Sequence, residues 1–393
     1  MKTSLQTYGQ FLLHSQIKYT CDYLAKATDG EISGDDVERF LKKAIVKPSF
    51  IWERLEKEIV LSSKGRIIFD DSVMEHQSGK KIENAYKQYC GNTHSLITGI
   101  GVINCVYYNP ELKEYWLIDF RIYDKKKDGH TKIQHAMDML NSSIKRFEKL
   151  RIKQGKNIIN SSSNPTKQPT TTSIFSVLFD GAYASKEFMN YIALDLNLFY
   201  YTNLKKSQLC NDQNGQKYED GSMLKQIQEL EWTSPQNTQI EGGHKDQNQT
   251  QDQTQKQDKI NNSLETGKIV RLKDFPKKHL IKLFQIAVTK DRIDNLATNN
   301  LDDSITAYTI QEETCIRWKI EQFHRETKQL TGINKCQCRK ARSQRNHIAI
   351  ANIVWLTLHS LSKKLKTTMY QIKHNLLDDY MSQMMNHPVY AVV

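Results

Sequence analysis

The stretch LITGIGVINCVYYNPELKEYWLIDFRIYD (residues 96–124) decides the fold class. Two runs rich in β-branched and aromatic residues flank a polar turn from Asn109 to Lys113, and this pattern predicts a β-hairpin. The preceding run GRIIFDD (65–71) predicts another strand, and KIQHAMDMLNSSIKRFEKL (132–150) has helical periodicity. Three strands followed by a helix indicate the start of an α/β domain.

The alternation of strands and helices continues downstream. SIFSVLFDGAYAS (173–185) predicts a strand that ends in an aspartate, KEFMNYIALDLN (186–197) a helix, and LFYYTNLK (198–205) a further strand. The predicted order is therefore β, β, β, α, β, α, β. We assign residues 63–205 to the first part of an α/β core.

The first 62 residues predict a helical domain. Ser33 and Asp36 form a capping pair before the helix VERFLKKAI, and a short helix precedes them across a Gly-containing turn. This arrangement resembles a helix-turn-helix, and an ordinary bundle with a solvated basic face is an equal alternative on this pattern alone. The basic residues of the second helix that we expect to contact DNA are Arg39, Lys42 and Lys43.

The core is interrupted by an insertion at residues 206–304. Its central segment, residues 235–263, is rich in Gln, Asn, Asp and Lys, so it is predicted to be a disordered tip. The flanking runs predict strands, which makes the insertion mainly β. Residues 305–393 predict helices over about 305–331, 339–363 and 366–385 that complete the core.

The charge balance points to a polyanionic partner. The 393 residues carry 56 Lys plus Arg against 44 Asp plus Glu, a net charge of +12. Nucleic acid is the first expectation and an anionic membrane surface the second. No apolar run reaches spanning length and no signal-peptide core opens the chain, so no membrane association is expected. The 7 cysteines, an odd count, favour reduced thiols and a cytoplasmic protein.

Three acidic positions stand out by placement. Asp71, or its neighbour Asp70, ends the first strand, Asp180 ends the fourth, and Glu321 lies within the predicted helix RWKIEQFHRETKQ (317–329). Groups at the carboxyl ends of neighbouring strands converge on one crevice. Clustered carboxylates suit Mg²⁺, and a third carboxylate would complete a two-metal site for phosphodiester cleavage. Because successive strand residues face opposite sides, only one of the two adjacent aspartates is expected to face the metal.

Helix geometry distinguishes the two glutamates of that helix. At about 100° per residue, Arg317, Glu321 and Lys328 fall within roughly 40° of one another, whereas Glu326 lies about 140° from Glu321. Glu321 therefore has cationic neighbours on its own face and Glu326 does not. A salt-bridged surface helix is the commoner outcome of such a pattern taken alone.

The spacing Arg317-x3-Glu321-x6-Lys328 resembles the Tyr-Arg-Glu-Lys signature of DDE transposases from bacterial insertion sequences. The resemblance covers most of residues 10–360. Separated blocks resemble the family in the same order: IIFDDSV (67–73), GNTHSLITGIGVINCVYY (91–108), VLFDGAYAS (177–185) and the stretch 317–349. The signature tyrosine would fall at Thr314, which is a departure from the family pattern.

The resemblance implies an RNase H-like mixed sheet with flanking helices, interrupted by a mainly β insertion and preceded by a helical N-terminal domain. It gives Asp71, Asp180 and Glu321 as catalytic carboxylates that hold two Mg²⁺ (or Mn²⁺) ions. The side chains that it implies as DNA contacts are Arg317, Lys328, Arg325 and Trp232. Trp232 would stack on a flipped base, and its alternative role is a core tryptophan of the insertion.

The function implied is that of an insertion-sequence transposase. It would bind double-stranded terminal inverted repeats, cleave phosphodiester bonds at the transposon ends and join the freed 3′-OH to target DNA. Holding two ends together favours a homodimer on DNA. The alternatives are a catalytically decayed or repurposed DNA-binding protein and an RNase H-like nuclease without strand transfer. No phosphate-binding GxxxxGK[ST] loop is present, so ATP use is not expected.

Overall fold

The computed structural model of the chain describes seven ranges of residues. They are 3–76, 81–91, 95–124, 129–153, 174–232, 267–289 and 292–387. The segment predicted as a disordered tip (235–263) lies outside them. Within these ranges, no helix combines the length and the apolar character needed to cross a lipid bilayer.

The chain begins with four short helices. They are α1 (Leu5–His14), α2 (Cys21–Ala27), α3 (Gly34–Lys43) and α4 (Ser49–Leu55). The capping pair predicted before α3 is confirmed, because the Asp36 amide donates to Ser33 Oγ at 3.1 Å and the Ser33 amide donates back to Asp36 Oδ2 at 3.4 Å. The helix buries Val37 and Leu41 and leaves its charged residues toward solvent.

The first part of the core alternates strands and helices. Its elements are β1 (Arg66–Glu75), β2 (Tyr86–Cys90), β3 (Ser95–Asn109), β4 (Glu114–Tyr123), α5 (Lys132–Lys153), β5 (Ser176–Phe179), α6 (Lys186–Asn190) with a π-helical turn (Tyr191–Asp195), and β6 (Phe199–Leu204). The core strands lie in the order β4-β3-β1-β5-β6. Strand β1 is antiparallel to β3 and parallel to β5, and β5 is parallel to β6, so the predicted mixed sheet is confirmed.

Two features of these strands differ from the prediction. Strand β1 was expected to end at Asp71, which is wrong: the ladder with β3 continues until Glu75 pairs with Gly99. Strand β2 was not predicted, because its sequence YKQYC lacks a clear apolar alternation. It pairs with the first residues of β3 and forms one wall of the cavity described below.

The insertion contributes strands to the same sheet. They are β7 (Leu209–Asn211), β8 (Lys225–Gln226), β9 (Lys268–Leu272), β10 (Ile281–Thr289) and β11 (Arg292–Thr298). Strand β11 runs antiparallel to β6, and β10 and β9 follow it outward. The insertion is therefore mainly β, as expected, and it extends the core sheet through backbone hydrogen bonds.

Four helices close the chain. They are α7 (Ala307–Ile316), α8 (Trp318–Leu330), α9 (Ala341–Leu365) and α10 (Met369–Asn386). The single helix expected over 305–331 divides at Arg317, where the Arg317 amide bonds to Thr314 O and the Ile320 amide bonds to Arg317 O, each at 3.1 Å. These tighter i→i+3 bonds mark a 3₁₀-like junction between α7 and α8.

The two faces of the core sheet are covered by different helices. Helix α5 packs on β3 and β4, and α8 packs on β1 and β3. Phe69 of β1 and Phe179 of β5 lie in register and both contact Phe188 of α6. Asp70, which follows Phe69 within β1, therefore faces away from α6, because side chains alternate along a strand.

Helix α9 holds the N-terminal helices through Asn346. Its amide nitrogen donates to Leu41 O at 2.7 Å and to Ala44 O at 2.8 Å, and its amide oxygen accepts from the Val46 amide at 3.1 Å. These bonds satisfy carbonyl groups at the end of α3 that have no partner within the helix.

We expect Asn346→Ala to lower the free energy of unfolding by about 2–3 kcal/mol more than Asn352→Ala, a matched deletion on the same helix. Asn352 is also fully buried, and within the described part of the chain its side-chain amide makes no hydrogen bond. Urea unfolding of the two variants measures the difference. Equal losses would show that the bonds of Asn346 contribute nothing net to stability.

Candidate active site

A cavity of about 1300 Å³ opens where β1, β2, the loop after β5 and helix α8 meet. It brings together most of the residues that the sequence predicted for the site. The predicted residues that line it are Asp71, Asp180, Glu321, Arg317, Arg325 and Lys328, and the alternative Asp70 lines it too. Residues from Asp70 to Lys328, 258 positions apart in the sequence, thus share one space with both acidic and basic walls.

Register places Asp70 and Asp180 at the same level of the sheet. Phe69 pairs with Phe179, the last residue of β5, and the two aspartates directly follow this pair. Asp70 also pairs with Asn104 of β3. Since Phe69 packs on α6, Asp70 points to the opposite face, where α8 lies.

Asp71 is held by the helix layer on the other face. Lys132, at the start of α5, donates to Asp71 Oδ2 at 2.6 Å, and the buried Tyr183 hydroxyl donates to Asp71 Oδ1 at 3.2 Å. Sequence reasoning missed both partners. Lys132 stands nine residues after β4 ends, with no local pattern that ties it to β1.

Burial raises the pKa of two of the cavity aspartates, Asp70 and Asp180. Burial, followed by the charges of Asp180 and Asp71, raises the pKa of Asp70 to about 8. Burial also raises the pKa of Asp180, although the Ala182 amide and the charge of Arg317 oppose that rise. Both carboxyl groups therefore bind a proton more readily than a free aspartate does, chiefly because they are buried.

Glu321 and Glu326 lie in different environments. Arg317 donates to Glu321 Oε1 at 2.8 Å in the cavity, and the two side chains remain 26% and 29% exposed. Glu326 is buried, where it accepts from Tyr115 Oη at 2.8 Å and from Trp355 Nε1 at 2.9 Å. The structure thus puts Glu321 in the cavity and Glu326 in the core between β4, α8 and α9.

A buried histidine of the same helix approaches the strand carboxylates. His324 Nε2 lies 3.0 Å from Asn104 Nδ2, and His324 Nδ1 lies 3.9 Å from Asp70 Oδ2. Burial lowers the pKa of His324 to about 3, with the charges of Lys328 and Arg317 acting in the same direction. Asn104 was not a sequence candidate, because only the register of β1 and β3 brings it under α8.

The remaining predicted residues lie outside the cavity. Arg39 and Lys42 are exposed on α3 and pair with Asp36 at 2.6 Å and Glu38 at 2.8 Å, and the neighbouring Lys43 is also exposed. Trp232 is half-buried against the core of the insertion, with Lys268 Nζ 5.8 Å from its ring centroid. The described contacts of Trp232 are thus those of a packed residue.

The donor set suits a hard divalent cation. In the part of the chain that the structure describes, no three Asp, Glu, His or Cys side chains already stand in a metal-binding arrangement. Lys132 occupies an oxygen of Asp71, and Arg317 occupies an oxygen of Glu321. Carboxylate oxygens are what Mg²⁺ and Mn²⁺ prefer, and a cation beside Asp70 and Asp180 would offset the burial and the carboxylate repulsion that together raise the Asp70 pKa.

Three comparisons relate the chain to known proteins. No curated protein sequence matches the chain. A cryo-EM structure of a piggyBac transposase synaptic complex with hairpin DNA is similar at a TM-score of 0.42 and 9% identity, covering 98% of this chain and 72% of that one. The family model described as the transposase DDE domain matches residues 111–357, well over half of the chain. The chain therefore belongs to the transposases that carry a DDE domain.

Proposed function

We propose that this transposase belongs to an insertion sequence, binds its terminal inverted repeats, cuts the DNA ends and joins the freed 3′-OH to target DNA. The observation that carries the proposal is the single cavity in which acidic residues from β1, the β5 loop and α8 meet basic residues of α8. Acidic groups alone would suit a metal site, and the adjacent cations add contacts for a phosphodiester backbone.

The acidic groups are proposed to hold the metal. DDE transposases use divalent metal ions. We propose two ions, Mg²⁺ or Mn²⁺, held by Asp180, Glu321 and an aspartate of β1, for which the family resemblance gives Asp71 and the register favours Asp70. When bound, such ions would activate the attacking oxygen and stabilise charge on the leaving oxygen.

The basic residues of α8 are proposed to position the DNA. Arg317 sits at the junction of α7 and α8 with its guanidinium on Glu321, and it would exchange that carboxylate for a phosphate when DNA and metal enter. Lys328, also on the cavity wall, and the exposed Arg325 would contact neighbouring phosphates. These contacts hold the scissile bond against the carboxylates, which is the largest part of phosphoryl-transfer catalysis.

The other parts of the chain are proposed to select and hold the ends. Residues 1–62 would form the DNA-binding domain, with Arg39, Lys42 and Lys43 on the exposed face of α3. Residues 63–205 and 305–393 would form the catalytic core, and 206–304 the insertion with Trp232. Two copies would hold the two ends of the element together as a homodimer.

The proposal is tested with the purified protein, a duplex that carries the flanking inverted repeat, and Mg²⁺ or Mn²⁺. Wild type should cut at the end of the repeat and join the cut strand to a second duplex. Cutting without joining would favour an RNase H-like nuclease. Specific binding without cutting would favour a DNA-binding protein derived from a transposase.

The basic face of α3 gives a prediction about DNA affinity. Replacing Arg39, Lys42 and Lys43 together with alanine should make the slope of log affinity against log salt shallower by about 3, one for each lost phosphate contact. Glu38→Gln should have the opposite effect on affinity, because it frees Lys42 from its ion pair. Fluorescence anisotropy at several salt concentrations measures both. A triple variant with the wild-type slope would remove α3 from the DNA interface.

A further inference from the structure

Strands β1 and β3 present a polar pair beneath helix α8. Asp70 and Asn104 lie directly opposite each other in the antiparallel ladder, so their side chains share a face of the sheet. His324 of α8 lies above both, with Nε2 3.0 Å from Asn104 Nδ2 and Nδ1 3.9 Å from Asp70 Oδ2. Three residues from three elements thus form one chain of polar contacts that ends on a carboxylate of the cavity.

The contacts of Asn104 fix the tautomer of His324. The Asn104 amide nitrogen also donates to Val102 O at 3.3 Å, which identifies that atom as the nitrogen rather than the amide oxygen. An amide nitrogen can only donate, so Nε2 of His324 must accept. The ring proton therefore sits on Nδ1, the nitrogen that faces Asp70.

In the same arrangement, Asp70 accepts one hydrogen bond and faces a second N–H group. Its Oδ1 accepts from the Asp71 amide at 2.9 Å, and its Oδ2 faces the Nδ1–H of His324 across a gap longer than a hydrogen bond. Asn104 is 2% exposed and His324 is 8% exposed, so packing restrains both side chains. Asp71, in contrast, is tied to Lys132 and Tyr183 on the opposite face.

We propose that Asn104 and His324 are positioning residues for Asp70, and that Asp70, rather than Asp71, is the metal-binding carboxylate of β1. The imidazole presents its Nδ1–H to one oxygen of Asp70 and so sets the direction in which the carboxylate meets a cation. Asp71 instead anchors α5 to the strand through Lys132. This inference rests on the proposed metal-dependent function, because it names the groups that prepare the metal site.

The test uses a matched pair of substitutions at His324. Asparagine and leucine have nearly the same shape, and the asparagine amide nitrogen can take the place of Nδ1 as a donor to Asp70. Binding of Mn²⁺ to the full-length protein is measured by electron paramagnetic resonance of the free ion. We expect His324→Leu to weaken Mn²⁺ binding about 10–100-fold, as for other partners that orient a metal ligand, and His324→Asn to stay within a few-fold of wild type.

Two further comparisons keep the test independent of folding. Asn104→Asp is isosteric and replaces the donor to Nε2 by an acceptor, which moves the ring proton away from Asp70, so it should weaken Mn²⁺ binding as His324→Leu does. Asp70→Asn should weaken binding more than Asp71→Asn. Equal Mn²⁺ affinities for the leucine and asparagine variants, or a larger effect at Asp71 than at Asp70, would overturn the inference. A protein that binds Mn²⁺ through Asp70 but cuts no repeat would instead refute the proposed function.

Discussion

Glu321→Gln is expected to abolish cutting of the transposon end while leaving binding of the inverted repeat intact. Glutamine keeps the shape of the side chain and one oxygen, but it loses the negative charge that a metal site requires. We expect the rate of end cleavage to fall by roughly 10³-fold or more, since the loss affects charge stabilisation in the transition state. A gel assay for cleavage with Mg²⁺, beside a mobility-shift assay without metal, separates the two effects.

The loss of the Glu321 charge also predicts the direction in which the affinity for the repeat changes. In wild type the guanidinium of Arg317 is held by Glu321 at 2.8 Å. Glutamine attracts the guanidinium less strongly and so leaves Arg317 freer to contact a phosphate. The variant should therefore bind the repeat at least as tightly as wild type. Glu312→Gln is the matched control, because Glu312 is an exposed glutamate of the preceding helix α7. Normal cleavage by the Glu321 variant would remove this residue from the catalytic set.

The sequence predicted the parts of the site that depend on local periodicity. The 3.6-residue repeat of α8 was sufficient to separate Glu321 from Glu326, and the structure puts the first in the cavity and the second in the core. The succession of strands and helices along the core, apart from β2, also followed from apolar runs and turns. Periodicity did not reveal the boundary between α7 and α8, because that boundary depends on a single 3₁₀-like junction at Arg317.

Features that depend on pairing between distant strands could not be read from the sequence. The choice between Asp70 and Asp71 depends on the register of β1 with β5, and the approach of Asn104 depends on its register with β3. A shift of one residue would exchange the faces of the two aspartates. The family signature gives Asp71, whereas the packing of Phe69 on α6 turns Asp70 toward the face that α8 covers.

Substitution of Glu326, the second glutamate of α8, should have a large effect on the stability of the protein rather than on DNA cleavage. Glu326→Leu is expected to lower the free energy of unfolding by about 3–5 kcal/mol. The substitution leaves the Tyr115 hydroxyl and the Trp355 indole N–H buried without the oxygen that accepts from both, at 2.8 and 2.9 Å in wild type. Urea unfolding should show a lower midpoint with an unchanged slope.

Substitutions at the two glutamates of α8 should therefore have different effects, on stability at Glu326 and on cleavage at Glu321. Glu326→Gln keeps one acceptor oxygen and should lose less stability than Glu326→Leu, whereas Glu321→Gln should unfold within about 1 kcal/mol of wild type, because its ion pair with Arg317 is partly exposed. Glu326 variants that remain folded should still cut DNA, since the residue lies outside the cavity lining. A folded Glu326→Gln protein without cleavage would mean that the core beneath α8 sets the geometry of Glu321.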